Sequence, residues 1–121
     1  MQTSQKNFHK KLLGRVGERL AEKHLKSIGY QILEKNFTTT FGEIDIIAKD
    51  QDYIVFVEVK TRESIDYGTP SQAVNYKKQE KYKNLANAYL IKQGKTEQNC
   101  RFDVVEVVKR KINHIINAFY V

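Results

Sequence analysis

The sequence predicts an α/β fold with the element order α-β-β-β-α-β-β. Two observations carry this prediction. Apolar residues recur at helical spacing in two segments, and they alternate or run together in five shorter segments that are rich in valine and isoleucine. In addition, both faces of the two central strands are apolar, which is typical of a sheet that helices cover on both sides. A chain of 121 residues is expected to form a single domain, residues 1–121.

The first helix is predicted over residues 9–29, with Gly29 as its stop signal. Its apolar stripe consists of Leu12, Val16, Leu20, Ala21, Leu25 and Ile28. His24 falls within this stripe and is expected to be a packed core histidine. Gly14 and Gly17 lower the helix propensity, so we expect them to mark close approach to another part of the backbone.

Three strands are predicted next, over residues 30–37, 42–49 and 53–61. The polar segment Lys49-Asp50-Gln51-Asp52 joins the last two, and we centre the turn on Asp50 and Gln51. Ile44, Ile46 and Ala48 alternate with Ile47 along the second of these strands, so it has two apolar faces.

The second helix is predicted to begin at Thr69-Pro70-Ser71-Gln72, a capping-box pattern with proline at the first helical position, and to end at Gly94. Its buried stripe is Ala73, Val74, Tyr82, Leu85, Ala86, Tyr89 and Leu90. Two further strands are predicted over residues 100–108 and 112–121, around the basic turn Lys109-Arg110-Lys111.

Three carboxylates are expected on one face of the central hairpin. In the predicted register Glu43 faces Glu58 and Asp45 faces Phe56, and Lys60 follows on the same face. Like charges opposed on a sheet are destabilising, and apolar neighbours strengthen the repulsion. Either one carboxylate is protonated or a cation binds there. The alternative is a sheet edge with solvated charges, where Lys60 simply neutralises Glu58.

Oxygen ligands favour a hard ion, and Mg²⁺ typically takes one or two protein carboxylates together with water and substrate phosphate. A lysine two residues after a ligand adds a fixed positive charge for a phosphate or an attacking hydroxide. These groups are the components of metal-assisted phosphodiester hydrolysis.

The composition favours a polyanionic partner, because 21 Lys and Arg residues against 14 Asp and Glu residues give a net charge of +7. No apolar run approaches the length of a membrane span, and the N-terminal residues contain no apolar signal core. A lone Cys100 cannot form an intramolecular disulfide, which fits a cytoplasmic location. Three histidines without ligand spacing argue against structural zinc.

The spacing of the acidic residues resembles that of the PD-(D/E)xK nuclease superfamily. Asp45 is followed after twelve residues by Glu58-Val59-Lys60, and a helix that carries Glu18 precedes both. More closely, the chain resembles the YraN-like family of small bacterial proteins within that superfamily. The proline of the superfamily's name is absent, since Ile44 precedes Asp45. The matching strings, in chain order, are GRVGERLAEKHLKSIGY, GEIDIIA, FVEVKTR, RFDVV and INHIINAF.

The resemblance implies a three-layer α/β/α core of the restriction-endonuclease type with a mixed sheet. It implies that Asp45 and Glu58 bind Mg²⁺, with Mn²⁺ as an alternative ion. Lys60 would orient or activate water or stabilise the transition state. Similarity to Holliday junction resolvases places Glu18 over the same site, although an exposed helix glutamate is equally compatible with the sequence. Glu43 would be a third ligand, a water-mediated one or a partner of Lys60.

Basic residues are candidates for phosphate contacts, although a lysine-rich helix face can also be merely solvated. They are Arg62, Lys77, Lys78, Lys81, Lys109, Arg110 and Lys111. Asp103 is expected to form a buried salt bridge rather than bind metal, and His114 is expected to be structural. The predicted function is a Mg²⁺-dependent endonuclease for structured or branched DNA, with DNA favoured over RNA. The alternative is a non-catalytic nucleic-acid-binding module on a nuclease-like scaffold, and a homodimer is left open.

Overall fold

The computed structural model describes residues 2–63, 76–95 and 97–119, with side chains from residue 8 onward. Five strands form one mixed sheet between two helices, which confirms the predicted α/β class and element order. The predicted start of the second helix at Thr69–Gln72, its stripe residues Ala73 and Val74, and the last two residues of the fifth strand lie outside the described residues. The elements are α1 (Gln2–Ser27), β1 (Gln31–Thr39), β2 (Gly42–Asp50), β3 (Tyr53–Arg62), α2 (Tyr76–Gln93), β4 (Cys100–Val108) and β5 (Lys111–Phe119).

The strands follow one another across the sheet in chain order, β1-β2-β3-β4-β5. All neighbouring pairs are antiparallel except β3 and β4, which are parallel and connected through α2. Because Arg62 pairs with Val108, the carboxyl ends of β3 and β4 lie at the same edge of the sheet. We call this edge the carboxyl edge.

Each face of the sheet is covered by one helix. On the α2 face, Ile47, Phe56 and Phe102 pack against Leu85 and Tyr89. The α1 face is a second core that contains Ala21, Leu25, Ile46, Val55, Val57 and Val105. The apolar character of both faces of β2 and β3 therefore has the predicted cause, burial beneath helices on both sides.

Each helix is followed by the glycine that was predicted to end it, and both glycines are in the left-handed conformation. Gly29 has φ 96° and Gly94 has φ 68°. After α1, the N–H of Tyr30 donates to the carbonyl of Leu25 over 2.9 Å, and the N–H of Gly29 donates to that of Lys26 over 3.1 Å. This pair of bonds is a Schellman motif, which uses carbonyls that the helix itself leaves without donors.

The predicted apolar stripe of α1 is too long at both ends. Leu12 is 50% exposed and Ile28 is 47% exposed, whereas Ala21 and Leu25 are buried. Gly17 already packs against Thr61, next to the last residue of β3. Leu12, five residues earlier in the helix, lies about 7 Å further along its axis and therefore beyond the sheet.

The predicted register of the β2–β3 hairpin is wrong by two residues. Ile47, not Asp45, pairs with Phe56, and Asp50 pairs with Tyr53. The turn is therefore centred on Gln51 and Asp52, and the left-handed φ of 53° at Gln51 accommodates it. Glu43 consequently does not face Glu58.

Candidate active site

The candidate site lies where β2 and β3 separate. Their paired residues run from Asp50 and Tyr53 to Ile46 and Val57, and then stop. At the next position Oδ2 of Asp45 accepts a hydrogen bond from the backbone N–H of Val59 over 2.8 Å. A carboxylate thus satisfies a backbone donor that a strand carbonyl would otherwise satisfy.

The separation coincides with a reversal of side-chain direction in β2. Ile44 packs in the same core as Ile47, whereas Ile46 packs in the other one, so strict alternation fails around Asp45. In β1 the left-handed residue Asn36, with φ 54°, lies at the corresponding position. The prediction that alternation places Glu43, Asp45 and Glu58 on a single face is therefore wrong, because the acidic residues surround a gap in the sheet.

Four carboxylates nevertheless act on one another across this gap. Burial, together with the negative charges of Glu18, Glu58 and Glu43, raises the pKa of Asp45 to about 7, against the opposing effect of the hydrogen bond from Val59. Burial and the charge of Glu43 also raise the pKa of Glu18, which interacts directly with the Asp45 carboxyl group. Glu18 is therefore placed at the site rather than on an exposed helix face.

The two oxygens of the Glu58 carboxylate lie in different surroundings. Oε1 accepts a charge-assisted hydrogen bond from Nζ of Lys78 over 2.7 Å, which links β3 to α2. Oε2 is buried and has no hydrogen-bond partner among the described residues. Tyr82 of α2 lies beside this carboxylate, and its pKa is raised by burial, by a side-chain hydrogen bond with Glu58 and by the charge of Glu58. A buried carboxylate oxygen without a donor is unusual, since such atoms are normally satisfied.

Lys60 lies beside a second buried carboxylate that the sequence reasoning missed. Glu106 pairs with Lys60 across the parallel strands and is 1% exposed. Within the described ranges, neither of its carboxylate oxygens has a hydrogen-bond partner. Nε of Arg62 lies 3.9 Å from Oε1 of Glu106. Burial raises the pKa of Glu106 and lowers that of Lys60. The sequence feature that could have indicated this buried carboxylate is the position of Glu106 between valines in the segment DVVEVV.

The carboxylates at the site fit a hard divalent ion that needs only one or two protein ligands. Among the described residues, no group of three or more His, Cys, Asp or Glu side chains is arranged to hold a metal ion. Mg²⁺ requires fewer protein ligands, typically one or two carboxylates completed by water and substrate phosphate. Asp45 and the partnerless Oε2 of Glu58 supply these two carboxylates, and the exposed Glu43 is available nearby.

The predicted basic residues mostly surround the carboxyl edge. Lys109 and Arg110 form the β4–β5 turn, with left-handed φ values of 49° and 68°, while Lys111 begins β5. Arg62 ends β3 at the same edge. On α2, Lys77 is exposed, and the side chain of Lys81 lies over Gly42, where β2 begins. Lys78, predicted to contact phosphate, instead pairs with Glu58.

Asp103 forms the predicted buried salt bridge. Its oxygens accept hydrogen bonds from Nε of Arg101 over 2.9 Å and from the backbone N–H of Asn117 over 3.0 Å, and Oδ2 lies 2.8 Å from Nε2 of His114. Nδ1 of His114 lies 3.1 Å from Nε2 of His24. Both histidines thus join α1, β4 and β5, which agrees with their predicted structural role.

Comparison with known proteins identifies relatives over most of the chain. The sequence profile of the Uncharacterised protein family UPF0102 matches residues 17–107. A UPF0102 protein of Thermodesulfovibrio yellowstonii is 55% identical over 108 residues, which cover 89% of this chain and 96% of the relative. One from Alkaliphilus oremlandii is 53% identical, covering 90% and 98% of the two chains. One from Caldanaerobacter subterraneus subsp. tengcongensis is 46% identical, covering 94% and 99%.

Proposed function

We propose that this chain, which belongs to the Uncharacterised protein family UPF0102, is a Mg²⁺-dependent endonuclease that hydrolyses phosphodiester bonds in structured or branched DNA. The observation that carries the proposal is the Glu58 carboxylate. One of its oxygens is buried beside the acidic gap at Asp45 and has no hydrogen-bond partner in the part of the chain that the structure describes. A buried anionic oxygen without a donor is costly unless a cation binds it.

The residues divide into three roles. Asp45 and Glu58 would hold the metal ion, with Glu43 and Glu18 contributing negative charge nearby. A bound Mg²⁺ supplies positive charge for the phosphate and a more acidic water molecule. Lys60, two residues from Glu58, would hold its ammonium group toward the phosphate or toward the attacking water.

The position of Lys60 is supported by its neighbour across the strands. The Glu106 carboxylate lies beside Lys60 in the register and near Arg62, so both cationic side chains have a buried negative charge behind them. A cation anchored in this way loses less conformational freedom when it contacts a phosphate.

The nucleic acid would approach the carboxyl edge. Arg62, Lys81 and the turn at Lys109 and Arg110 lie around this edge, and the net charge of +7 favours a polyanion. Within the described residues no helix is long and apolar enough to cross a membrane. DNA rather than RNA, a cytoplasmic location and a homodimer remain predictions.

A non-catalytic nucleic-acid-binding module is the second candidate, and one contact favours it. The ion pair between Lys78 and Glu58 neutralises one carboxylate without any metal ion. If that pair persisted in the presence of Mg²⁺ and substrate, the acidic gap would be only a structural feature of the scaffold.

Cleavage of labelled nucleic acids separates the two candidates. The substrates are a four-way junction, a flap, a single strand and a continuous duplex, as DNA and as RNA, each with Mg²⁺, Mn²⁺ or EDTA. We expect metal-dependent cleavage of branched DNA by the native protein and by Lys49→Ala, which removes an exposed lysine at the opposite end of β2. Lys60→Ala should abolish it. Equal activity of both variants would indicate a contaminating nuclease, and binding without cleavage would support the second candidate.

A further inference from the structure

A groove lies next to the acidic gap, between the first half of α1 and the end of β3. It encloses about 680 Å³, which is within the range of pockets that hold small organic ligands. The lining residues include Leu13, Gly14 and Val59, which we call its floor. The charged lining residues are two basic ones, Lys10 and Arg62, and two acidic ones, Glu18 and Glu63. An apolar floor suits a flat heterocycle, and the two basic residues suit a phosphate attached to it.

The groove is continuous with the candidate active site. Glu18, whose carboxyl group interacts with Asp45, forms part of its wall. Val59 lines the floor, and its backbone N–H donates to Asp45. At the other end, the side chains of His9 and Glu63 contact each other, which joins α1 to the end of β3. A ligand in the groove would therefore lie directly beside the acidic gap.

Gly14 is the observation that indicates a ligand. Gly17, one helical turn later, has an evident packing role, because a Cβ there would overlap the side chain of Thr61. Gly14 shows no such role: a Cβ there would meet no atom of the described residues within 4 Å, and its φ is not left-handed. Glycine inside a helix is destabilising by about 0.5–1 kcal/mol relative to alanine. No contact or backbone conformation within the described residues requires glycine at position 14. We therefore attribute the glycine to the open space beside it, which a larger side chain would fill.

We propose that this groove receives a single unstacked nucleotide adjacent to the phosphodiester that is cleaved. The base would lie on Leu13, Gly14 and Val59, and the flanking phosphates would contact Lys10 and Arg62. A base inside a continuous duplex cannot reach such a floor without unpairing, whereas a base in a single strand, a flap or a junction can. The substrate class is therefore nucleic acid with an unpaired nucleotide. The inference rests on the proposed function, because it assumes a phosphodiester that is cleaved beside the bound nucleotide. Its test measures binding alone.

The test fills the groove at Gly14. The probe is a fluorescein-labelled oligothymidylate, with a continuous duplex of the same length for comparison, and anisotropy is measured in EDTA so that no cleavage occurs. We expect Gly14→Leu to weaken binding of the single strand by on the order of tenfold, because the side chain occupies the space of the base. Binding of the duplex should change less than twofold. Asn87→Leu, which introduces the same side chain at an exposed position of α2 outside the groove, is the matched control and should bind both probes as the native protein does.

Three outcomes overturn the inference. The native protein could bind the oligothymidylate no better than the duplex, or Gly14→Leu could leave the preference for the single strand unchanged. A melting temperature for Gly14→Leu that lies below that of Gly14→Ala by more than the small difference in helix propensity between the two residues would also overturn it, because the side chain would then meet protein atoms rather than open space.

The test is independent of the proposed function. Metal-dependent cleavage by the native protein together with normal oligothymidylate binding by Gly14→Leu would refute the groove and leave the nuclease. Selective loss of single-strand binding in a protein that cleaves nothing would refute the nuclease and leave the groove.

Discussion

Replacement of Lys78 with methionine should strengthen Mg²⁺ binding. The ammonium group of Lys78 lies 2.7 Å from Oε1 of Glu58, a carboxylate proposed to bind the metal ion. Two cations compete for one carboxylate, so removal of the first should favour the second. Methionine has an unbranched side chain of similar length to that of lysine but carries no positive charge.

The contact indicates the size of the effect. A hydrogen bond to a charged group contributes about 1.5–3 kcal/mol when it is well formed. The Lys78 side chain is 42% exposed, whereas that of Glu58 is 11% exposed. Solvent screening of the lysine reduces the value to about 1 kcal/mol, which corresponds to roughly a fivefold decrease in the dissociation constant for Mg²⁺. The metal-free protein should lose a similar amount of stability, since Glu58 would be left without a cation.

Thermal unfolding measured over a series of Mg²⁺ concentrations tests both effects. For Lys78→Met we expect a lower melting temperature in EDTA and a larger rise on addition of Mg²⁺, because an ion that binds only the folded state stabilises it. Lys83→Met is the matched control. It lies on the same helix and removes an ion pair with Glu80 of 3.4 Å, which involves none of the proposed metal-binding residues. An unchanged or smaller Mg²⁺ response in Lys78→Met would refute the assignment of Glu58 as a ligand.

Further predictions concern the cations and the second buried carboxylate. Lys60→Ala should retain the Mg²⁺-dependent rise in melting temperature but lose turnover by on the order of 10²–10³-fold, as expected for a preorganised charge, in single-turnover cleavage. Burial raises the pKa of Glu106, so its ionised form is less favourable in the folded than in the unfolded protein. Glu106→Gln should therefore raise the free energy of unfolding in urea by on the order of 1 kcal/mol at neutral pH. This gain should vanish as the pH falls below the ordinary glutamate value of 4.5. Glu80→Gln, at a glutamate whose side chain is 47% exposed, should show no such gain. Affinity for DNA should fall steeply with salt, and replacing both Lys109 and Arg110 with alanine should reduce the slope of log K against log [salt] by about 1–2.

The elements of the fold were accessible from the sequence because local periodicity determines them. The fourth strand was predicted over residues 100–108, and β4 spans Cys100–Val108. Gly29 and Gly94 were sufficient to end the helices. The hairpin register was missed because the polar segment between the strands allows several turn positions. The left-handed residue proved to be Gln51, which has no strong preference for that conformation.

The residues of the site were predictable, but their arrangement was not. Asp45, Glu58 and Lys60 follow from their spacing. The contact of Glu58 with Lys78 depends on how α2 packs on the sheet, and a sequence pattern does not determine that packing. Glu106 was missed because one charged residue in an apolar strand is easily assigned to the strand pattern alone. Its burial became evident only from the position of β4 between β3 and β5.

The site exists because the sheet is irregular at one position. If β1 and β2 continued with regular alternation through Asn36 and Asp45, Ile44 could not share the α2-face core with Ile47. Regular pairing would also give the Val59 N–H a strand carbonyl instead of the Asp45 carboxylate. The reversal therefore has a structural cost in ladder hydrogen bonds, and what it provides is a carboxylate in the gap between two strands. The irregularity therefore places a carboxylate where a regular sheet would have a paired strand carbonyl, which is the arrangement that the proposed metal site requires.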